Sequence, residues 1–153
     1  MDIIMRNASL GDATILLDWR NSLSTRRFSR NSELIQIEDH LVWLVERLER
    51  IALEPFYIFE QKHKLIGMSR LDFEFQTSDE FVISILVDPN QHGKGIGTKI
   101  LDMTCAAIFD LYPSSTIIAH VHQNNSVSQK LFANGGFKLH KLVDGFFRFE
   151  KTN

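Results

Sequence analysis

Gly93, Gly95 and Gly97 occupy alternate positions in the run His92-Gly93-Lys94-Gly95-Ile96-Gly97-Thr98. Before it stand a nearly unbroken apolar segment, residues 81–87, and the turn cluster Asp88-Pro89-Asn90. After it comes a helical pattern that runs to about Leu111. A strand, a glycine loop and a helix in that order suit one kind of chemistry. With no side chains in the way, a row of backbone N–H groups lies open to a bulky anion, and the helix adds the positive end of its dipole. Lys94 adds a flexible positive charge. The pattern fits a phosphate or pyrophosphate, and also a tight strand-to-helix turn with no ligand. Two common phosphate loops are excluded by spacing. G-x-x-x-x-G-K-[ST] does not occur, and the glycines do not form G-x-G-x-x-G near the start of a βαβ unit.

Two further groups of residues carry chemistry. His120 titrates near neutrality in its ordinary state, and His120-x-His122 puts two imidazoles on one strand face. No third ligand cluster accompanies them, so no metal is expected. Trp19-Arg20-Asn21-x-x-x-x-Arg26, with His40-x-x-Trp43 downstream, gathers arginines near the chain start. Such arginines bind a nucleotide diphosphate bidentately and stack on a base. The plainer alternative makes the tryptophans core residues and the arginines a solvated face. We read Trp19 and Trp43 as core, and Arg20, Asn21 and Arg26 as substrate-binding. The single cysteine, Cys105, lies in an apolar helical stretch and reads as a buried structural thiol.

The elements that must position these residues follow from hydrophobic period and turn chemistry. Residues 2–7 read as a strand. Ser9 with Asp12 resembles a capping box and opens a helix over residues 10–21. Residues 22–34, polar and Arg-rich, read as a loop. Ile37, Leu41, Leu44, Val45 and Leu48 recur at helical spacing and predict an amphipathic helix. Residues 55–60 and 65–73 form a hairpin across a turn at residues 61–64, and residues 81–87 form a buried central strand. The helix after the glycine loop is expected to turn Ile100, Leu101, Thr104, Ile108 and Leu111 inward, and Pro113 stops it. A strand over 116–121, a helix over 126–133 ended by Asn134-Gly135-Gly136, and strands over 137–142 and 145–151 complete the chain. The order β-α-α-β-β-β-α-β-α-β-β describes an α/β (α+β) domain with a mixed sheet.

The 153 residues fit one domain whose core needs no disulfide or metal. A formal net charge of -2 argues against nucleic acid as a partner. Neither a signal peptide nor a run of about 18 apolar residues is present, so no membrane partner is expected and the cytoplasm is the expected compartment. A monomer, or a homodimer formed through the last strands, fits this size.

The residues 87–98 resemble the GNAT acetyltransferase superfamily, whose hallmark [Q/R]-x-x-G-x-[G/A] follows a strand ending in V-D-P, as Val87-Asp88-Pro89 does here. A second stretch, Asn125-x-x-Ser128-x-x-Leu131-Phe132 followed by Gly136-Phe137, resembles the superfamily's N-x-x-[AS]-x-x-[LF]-[YF]…G-F signature. The order of elements matches that superfamily's mixed, mostly antiparallel sheet from Ile3 to Lys151. The resemblance implies an N-acetyltransferase that uses acetyl-CoA. Its pyrophosphate would rest on the amides of His92, Gly93, Lys94, Gly95, Ile96, Gly97 and Thr98. Its pantetheine arm would run past Asn125, Ser128 and Phe132, and its thioester would lie beside Ile85, Leu86 and Val87. A backbone N–H near Leu86 or Val87 would polarise the thioester carbonyl.

The chain departs from that pattern in three places. His92 stands where Gln or Arg is usual, with Gln91 one residue early. Phe132 replaces a frequent Tyr, whose hydroxyl protonates the departing thiolate. Val82 occupies the position of a frequent Glu base. That leaves Ser84, on the same face as Val82, to hold a proton-relaying water, and His120 to act as base. The Trp19–Trp43 pattern is similar to bacterial nucleotide-linked amino-sugar N-acetyltransferases and, more loosely, to ribosomal-protein N-terminal acetyltransferases. The acceptor classes are therefore an activated amino sugar, or a protein N-terminus or other small amine. A non-catalytic acyl-CoA-binding module is the third reading.

Overall fold

A computed structural model of the chain describes residues 2–75 and 79–153. Its strands are β1 (Ile4–Asn7), β2 (Phe56–Gln61), β3 (Lys64–Phe73), β4 (Glu80–Val87), β5 (Thr116–His122), β6 (Lys138–Val143) and β7 (Phe146–Thr152). Its helices are α1 (Ala13–Asn21), α2 (Leu23–Arg26), α3 (Ile37–Leu48), α4 (Ile96–Leu111) and α5 (Ser126–Asn134). The seven strands form one sheet in the order β1-β2-β3-β4-β5-β7-β6. Every neighbouring pair is antiparallel except β4 with β5, which α4 connects as a crossover. Among the described residues no helix is long and apolar enough to cross a membrane.

Strand alternation divides the apolar residues between two faces. Phe81 and Ile83 of β4 and Ile117, Ala119 and Val121 of β5 join α4 and Phe132 of α5 in the larger core. Met68 and Leu86 turn the other way, to α1 and α3, and meet Leu16, Trp19 and Leu44 in the smaller one. Cys105 is buried in the larger core, which pushes its thiol pKa up to about 11 and leaves it protonated.

Most boundaries fall within a residue or two of the periodicity, and three details differ. Residues 22–34 contain one helical turn, α2, because Ser22 breaks from α1 while its hydroxyl donates to the Trp19 carbonyl (2.9 Å). Leu111 is 58% exposed rather than inward, since α4 has passed the sheet by its last turn. The third difference concerns α3. Ile37, Leu41 and Val45 are 40%, 39% and 46% exposed, whereas His40, Leu44 and Arg47 are buried. Arg47 is compensated there: its Nε meets Asp72 at 2.8 Å, and its other nitrogens donate to the carbonyls of Glu54 (2.7 Å) and Leu71 (2.9 Å). His40 Nε2 lies 2.9 Å from the Ala13 carbonyl. These hydrogen bonds fix the rotation of α3, which buries Leu44 and packs Leu48 on the smaller core but leaves the other three residues of the apolar stripe toward solvent.

The fit of α4 on the sheet is closest at Gly67. A Cβ there would stand 2.5 Å from Ile100 Cδ1 and 2.7 Å from the Leu86 carbonyl oxygen. Two residues on, the Ser69 hydroxyl donates to Thr104, whose own hydroxyl donates to the Ile100 carbonyl (2.7 Å each). Gly67→Ala should destabilise the fold by about 1–3 kcal/mol through overpacking. Urea unfolding checks this as a lowered midpoint with an unchanged slope.

Candidate active site

The glycine loop is built from Asp88 onward. Its carboxylate accepts from the Asn90 N–H (3.0 Å) and its carbonyl from the Gln91 N–H (2.8 Å), closing the 3-10 turn Pro89–Gln91. Beyond it Gly93 has φ +78° and Gly95 φ +74°, with Lys94 between them in the ordinary hand. Alternating hand turns successive N–H groups into one concavity. The left-handed φ would cost any other residue about 1–2 kcal/mol, while a Cβ at either glycine would meet nothing. Backbone conformation, not crowding, requires glycine there. The amides of Ile96, Gly97 and Thr98 start α4 and have no acceptor within the helix. His92 does not extend outward: its Nε2 lies 3.1 Å from the Val87 carbonyl.

The loop stands at the mouth of an opening in the sheet. β4 and β5 pair only from Glu80↔Thr116 to Val82↔Ile118, whereas β4 stays paired with β3 as far as Val87. The Glu74 N–H donates to Glu80 (3.1 Å) and the Asp88 N–H to Ile66 (2.9 Å) at the two ends of the β3–β4 ladder. Between them, alternation directs the main-chain groups of Val82, Ser84 and Leu86 at β3, and those of Ile83, Ile85 and Val87 at the β5 side. Of the two N–H groups expected from the sequence, Val87's faces the opening and Leu86's does not. Ile85 adds a second.

On the far side, Asn125 caps α5, its Oδ1 accepting from the Ser128 N–H (3.2 Å). Phe132 is a buried core ring against Phe137 (5.1 Å) and Phe149 (6.3 Å).

The face toward α1 and α3 is cationic. Arg20 and Arg70 both lie over the Trp43 ring, 4.7 and 5.0 Å from its centroid. Arg70 Nε is held by Asp72 (2.8 Å), and its Nη2 reaches the Ser84 hydroxyl at 3.5 Å. Arg20 has no carboxylate within ion-pair distance among the described residues. Burial, then Arg70, holds its pKa below the ordinary arginine value. Trp19 is core, and Trp43 packs against the smaller core with His40 stacked on it at 5.9 Å. Asn21 uses both ends of its amide on the Ile35 backbone (2.9 and 2.8 Å), and Arg26 Nε donates to the Ser32 carbonyl (2.9 Å). Those two residues therefore shape the segment between α2 and α3.

Comparison with known proteins decides the family. The model described as the acetyltransferase (GNAT) domain matches residues 2–138. The chain belongs to the GNAT acetyltransferase family. No curated protein matches it in sequence. Among solved structures it is similar to a domain from Methanocaldococcus jannaschii DSM 2661, with TM-score 0.85, 22% identity and 99% of each chain covered. It is also similar to a ribosomal-protein-alanine N-acetyltransferase from Brucella melitensis, with TM-score 0.82, 20% identity and coverage of 98% of this chain and 99% of that one. A third is a putative acetyltransferase from Salmonella typhimurium solved with its cofactor acetyl-CoA, with TM-score 0.81, 17% identity and coverage of 99% and 94%.

This GNAT chain is an acetyl-CoA-dependent N-acetyltransferase, with acetyl-CoA as its cosubstrate. Two steps beyond Val82↔Ile118, Ser84 and His120 come to matching positions on the two walls of the opening, both on the cationic face. The GNAT site also gathers residues that sequence reasoning missed. Glu74, nearly buried, lies 3.9 Å from His120 Nε2, and both its carboxylate oxygens accept from Arg148 Nη1, at 2.8 and 2.9 Å. Arg148 is the partner of His120 across β5–β7 and is bound again by Glu150 (3.3 Å). Arg30 covers Phe146 at 4.0 Å, and Phe28 lies 5.6 Å from His122. His122 accepts from the Asn124 N–H (3.1 Å), so it is tied into the turn before α5.

Burial holds the His120 pKa below the ordinary value, aided by Arg30 and Arg148 and opposed by Glu74. Folding thus makes His120 harder to protonate. Below about pH 6.5 the unfolded chain binds the extra proton more readily, so this residue's contribution to stability rises with pH through that window. An NMR titration should place the His120 midpoint below that value, moved further down in Glu74→Gln and up in Arg30→Gln.

Proposed function

We propose that this enzyme acetylates the primary amine of an acceptor that carries an anionic group, a nucleotide-activated amino sugar being the acceptor that fits best. The carrying observation is Arg20, a desolvated guanidinium beside a second one, with no carboxylate among the described residues to neutralise it. Leaving it so costs stability unless a ligand supplies the charge. A phosphate oxygen fits that need, and Arg26 on α2, beyond its bond to the Ser32 carbonyl, adds a third cation toward the same end of the acceptor. The similarity of Trp19-Arg20-Asn21 and the downstream His40-x-x-Trp43 to amino-sugar acetyltransferases supports the same choice.

On this reading the glycine loop cradles the pyrophosphate with the amides from His92 to Thr98, and Lys94 screens its charge. Asn125 and Ser128 border the arm of the cosubstrate, while Phe132 supplies the apolar wall behind them. Ile85, Leu86 and Val87 line the strand along which the thioester lies. The Val87 N–H, free of β3, donates to the thioester oxygen as negative charge develops there, a contribution of about 3 kcal/mol. His120, neutral at physiological pH, takes the proton that the amine loses as its nitrogen bonds to the carbonyl carbon, directly or through a water on Ser84. The carbon–sulfur bond then breaks and the thiolate leaves. Phe132 has no proton to give it, and solvent supplies one afterwards.

A panel measuring coenzyme A release tests the acceptor. Turnover should be greatest with UDP-linked amino sugars, and turnover confined to N-terminal peptides would transfer the assignment to the protein-acetylating class, the type named for the Brucella melitensis structure. Arg20→Met should raise the acceptor KM about 10- to 100-fold, the loss of one charged hydrogen bond, with the KM for acetyl-CoA unchanged. Gly95→Ala should do the reverse and raise the acetyl-CoA KM about tenfold, because the methyl strains the left-handed turn. His120→Gln should lower kcat/KM about 100-fold and remove the acidic limb of its pH profile. A limb that survives in that variant rules His120 out as the base.

A further inference from the structure

Beside the glycine loop, on the flank away from β5, lies a cavity of about 350 Å³ that the proposed mechanism does not use. Gln61, Lys62 and Lys64 from the β2–β3 hairpin, Ile66, and Gln91 and Lys94 from the loop line it. Its charge is one-sided. Three lysines line it, and among the described residues no carboxylate lines it and none of the three lysines is in an ion pair. Lys94 Nζ donates to Gln91 Oε1 (3.3 Å), which holds the head group at the rim between the cavity and the concave run of amides. Lys62 and His63 both take left-handed φ, 52° and 64°, in a two-residue turn that carries Lys62 and Lys64 out on either side.

The geometry points to this cavity as the site for the 3′-phosphate of coenzyme A, with Lys62 and Lys64 as the residues that select the phosphorylated cofactor over its dephospho form. The inference rests on acetyl-CoA as cosubstrate and adds a subsite to it. A ribose is all that separates the 3′-phosphate from the pyrophosphate, so its subsite must adjoin the glycine loop, and Lys94 belongs to both. A phosphate monoester carries close to two negative charges at neutral pH, which matches a lysine cluster better than the single charge of each pyrophosphate unit does. Lysine suits it as a mobile point charge in a half-open site where no fixed planar fork is needed. Ile66 provides an apolar floor for the sugar.

The test compares acetyl-CoA with 3′-dephospho-acetyl-CoA on the whole enzyme and on the Lys62→Gln/Lys64→Gln double variant, by calorimetry and steady-state kinetics. Both side chains are exposed on a hairpin tip, so the variant should melt with the wild type. The wild type should bind acetyl-CoA about tenfold tighter than the dephospho form, by a margin that shrinks as salt rises. The double variant should bind both forms alike, at the wild-type affinity for the dephospho form, with kcat at saturation unchanged. Equal weakening toward both forms, or a preference that survives the substitutions, overturns the inference. Failure of the wild type to bind either form would instead overturn acetyl-CoA itself as the cosubstrate.

Discussion

The site depends on the parting of β4 from β5. The two strands are paired through Val82↔Ile118 and no further, yet β3 keeps β4 extended to Val87. A strand held along one edge and released along the other keeps its N–H and C=O groups aligned without satisfying them. Main-chain groups left in that state need water or a ligand. Ile85, Leu86 and Val87 accordingly stay only partly buried in the middle of a seven-stranded sheet, where central strands are ordinarily closed on both sides. Leu131 of α5 and Val87 both stand within van der Waals reach of a Cβ built at Gly97, so α5 meets the start of α4 at the mouth of the opening.

Around this opening the same residue type serves opposite ends. Arg47 is 1% exposed, and its nitrogens are taken by Asp72 and by the carbonyls of Glu54, Pro55 and Leu71. It is a strut that ties α3 to β2 and β3, and its charge is answered within the protein. Arg20 is partly buried, feels another guanidinium, Arg70, and lies over the Trp43 ring with no ion-pair partner among the described residues. A cation over an indole gains about 0.5–2 kcal/mol, which does not replace a carboxylate. The near-neutral total charge of the chain conceals this division: cationic groups cluster at the face toward α1 and α3 and at the hairpin beside the glycine loop, while carboxylates such as Asp12, Glu54 and Glu74 are bound to arginines elsewhere and Asp72 is shared between Arg47 and Arg70.

The parts legible from sequence are those set by local rules. The glycine loop could be read because left-handed turns and helix starts depend on residues within a few positions of each other, and the order of elements along the chain followed from period and turn chemistry. The rotation of α3 could not. Apolar spacing nominated Ile37, Leu41, Leu44, Val45 and Leu48; Leu44 and Leu48 do pack inward, whereas hydrogen bonds from distant segments decided for His40 and Arg47 in place of the other three. Arg70 and Ser84 meet through the β3–β4 register, and Glu74 reaches His120 and Arg148 from a loop far away in sequence. Alternation says which face a strand residue takes, but not which residue of another strand stands beside it.

The departures from the family pattern fit together once the roles are weighed by chemical need. An amine must lose a proton to become a stable amide, so a base is indispensable. A thiolate is a weak enough base to leave without an acid, so the hydroxyl missing at Phe132 is the smaller loss. Filling that position with a core ring instead ties α5 to the sheet through Phe137 and Phe149. On the proposed reading the base moves from β4, where Val82 stands, to His120 across the opening. That relocation requires an imidazole kept neutral but not deprived of a counter-charge when it takes the proton. Burial, with Arg30 and Arg148, provides the first condition and Glu74 the second. Arg148 also immobilises Glu74, so the carboxylate remains beside His120 rather than turning into solvent. On the same reading a proton acceptor on the wall opposite the thioester's hydrogen-bond donor would let the amine enter between them, an arrangement that the parted strands make possible.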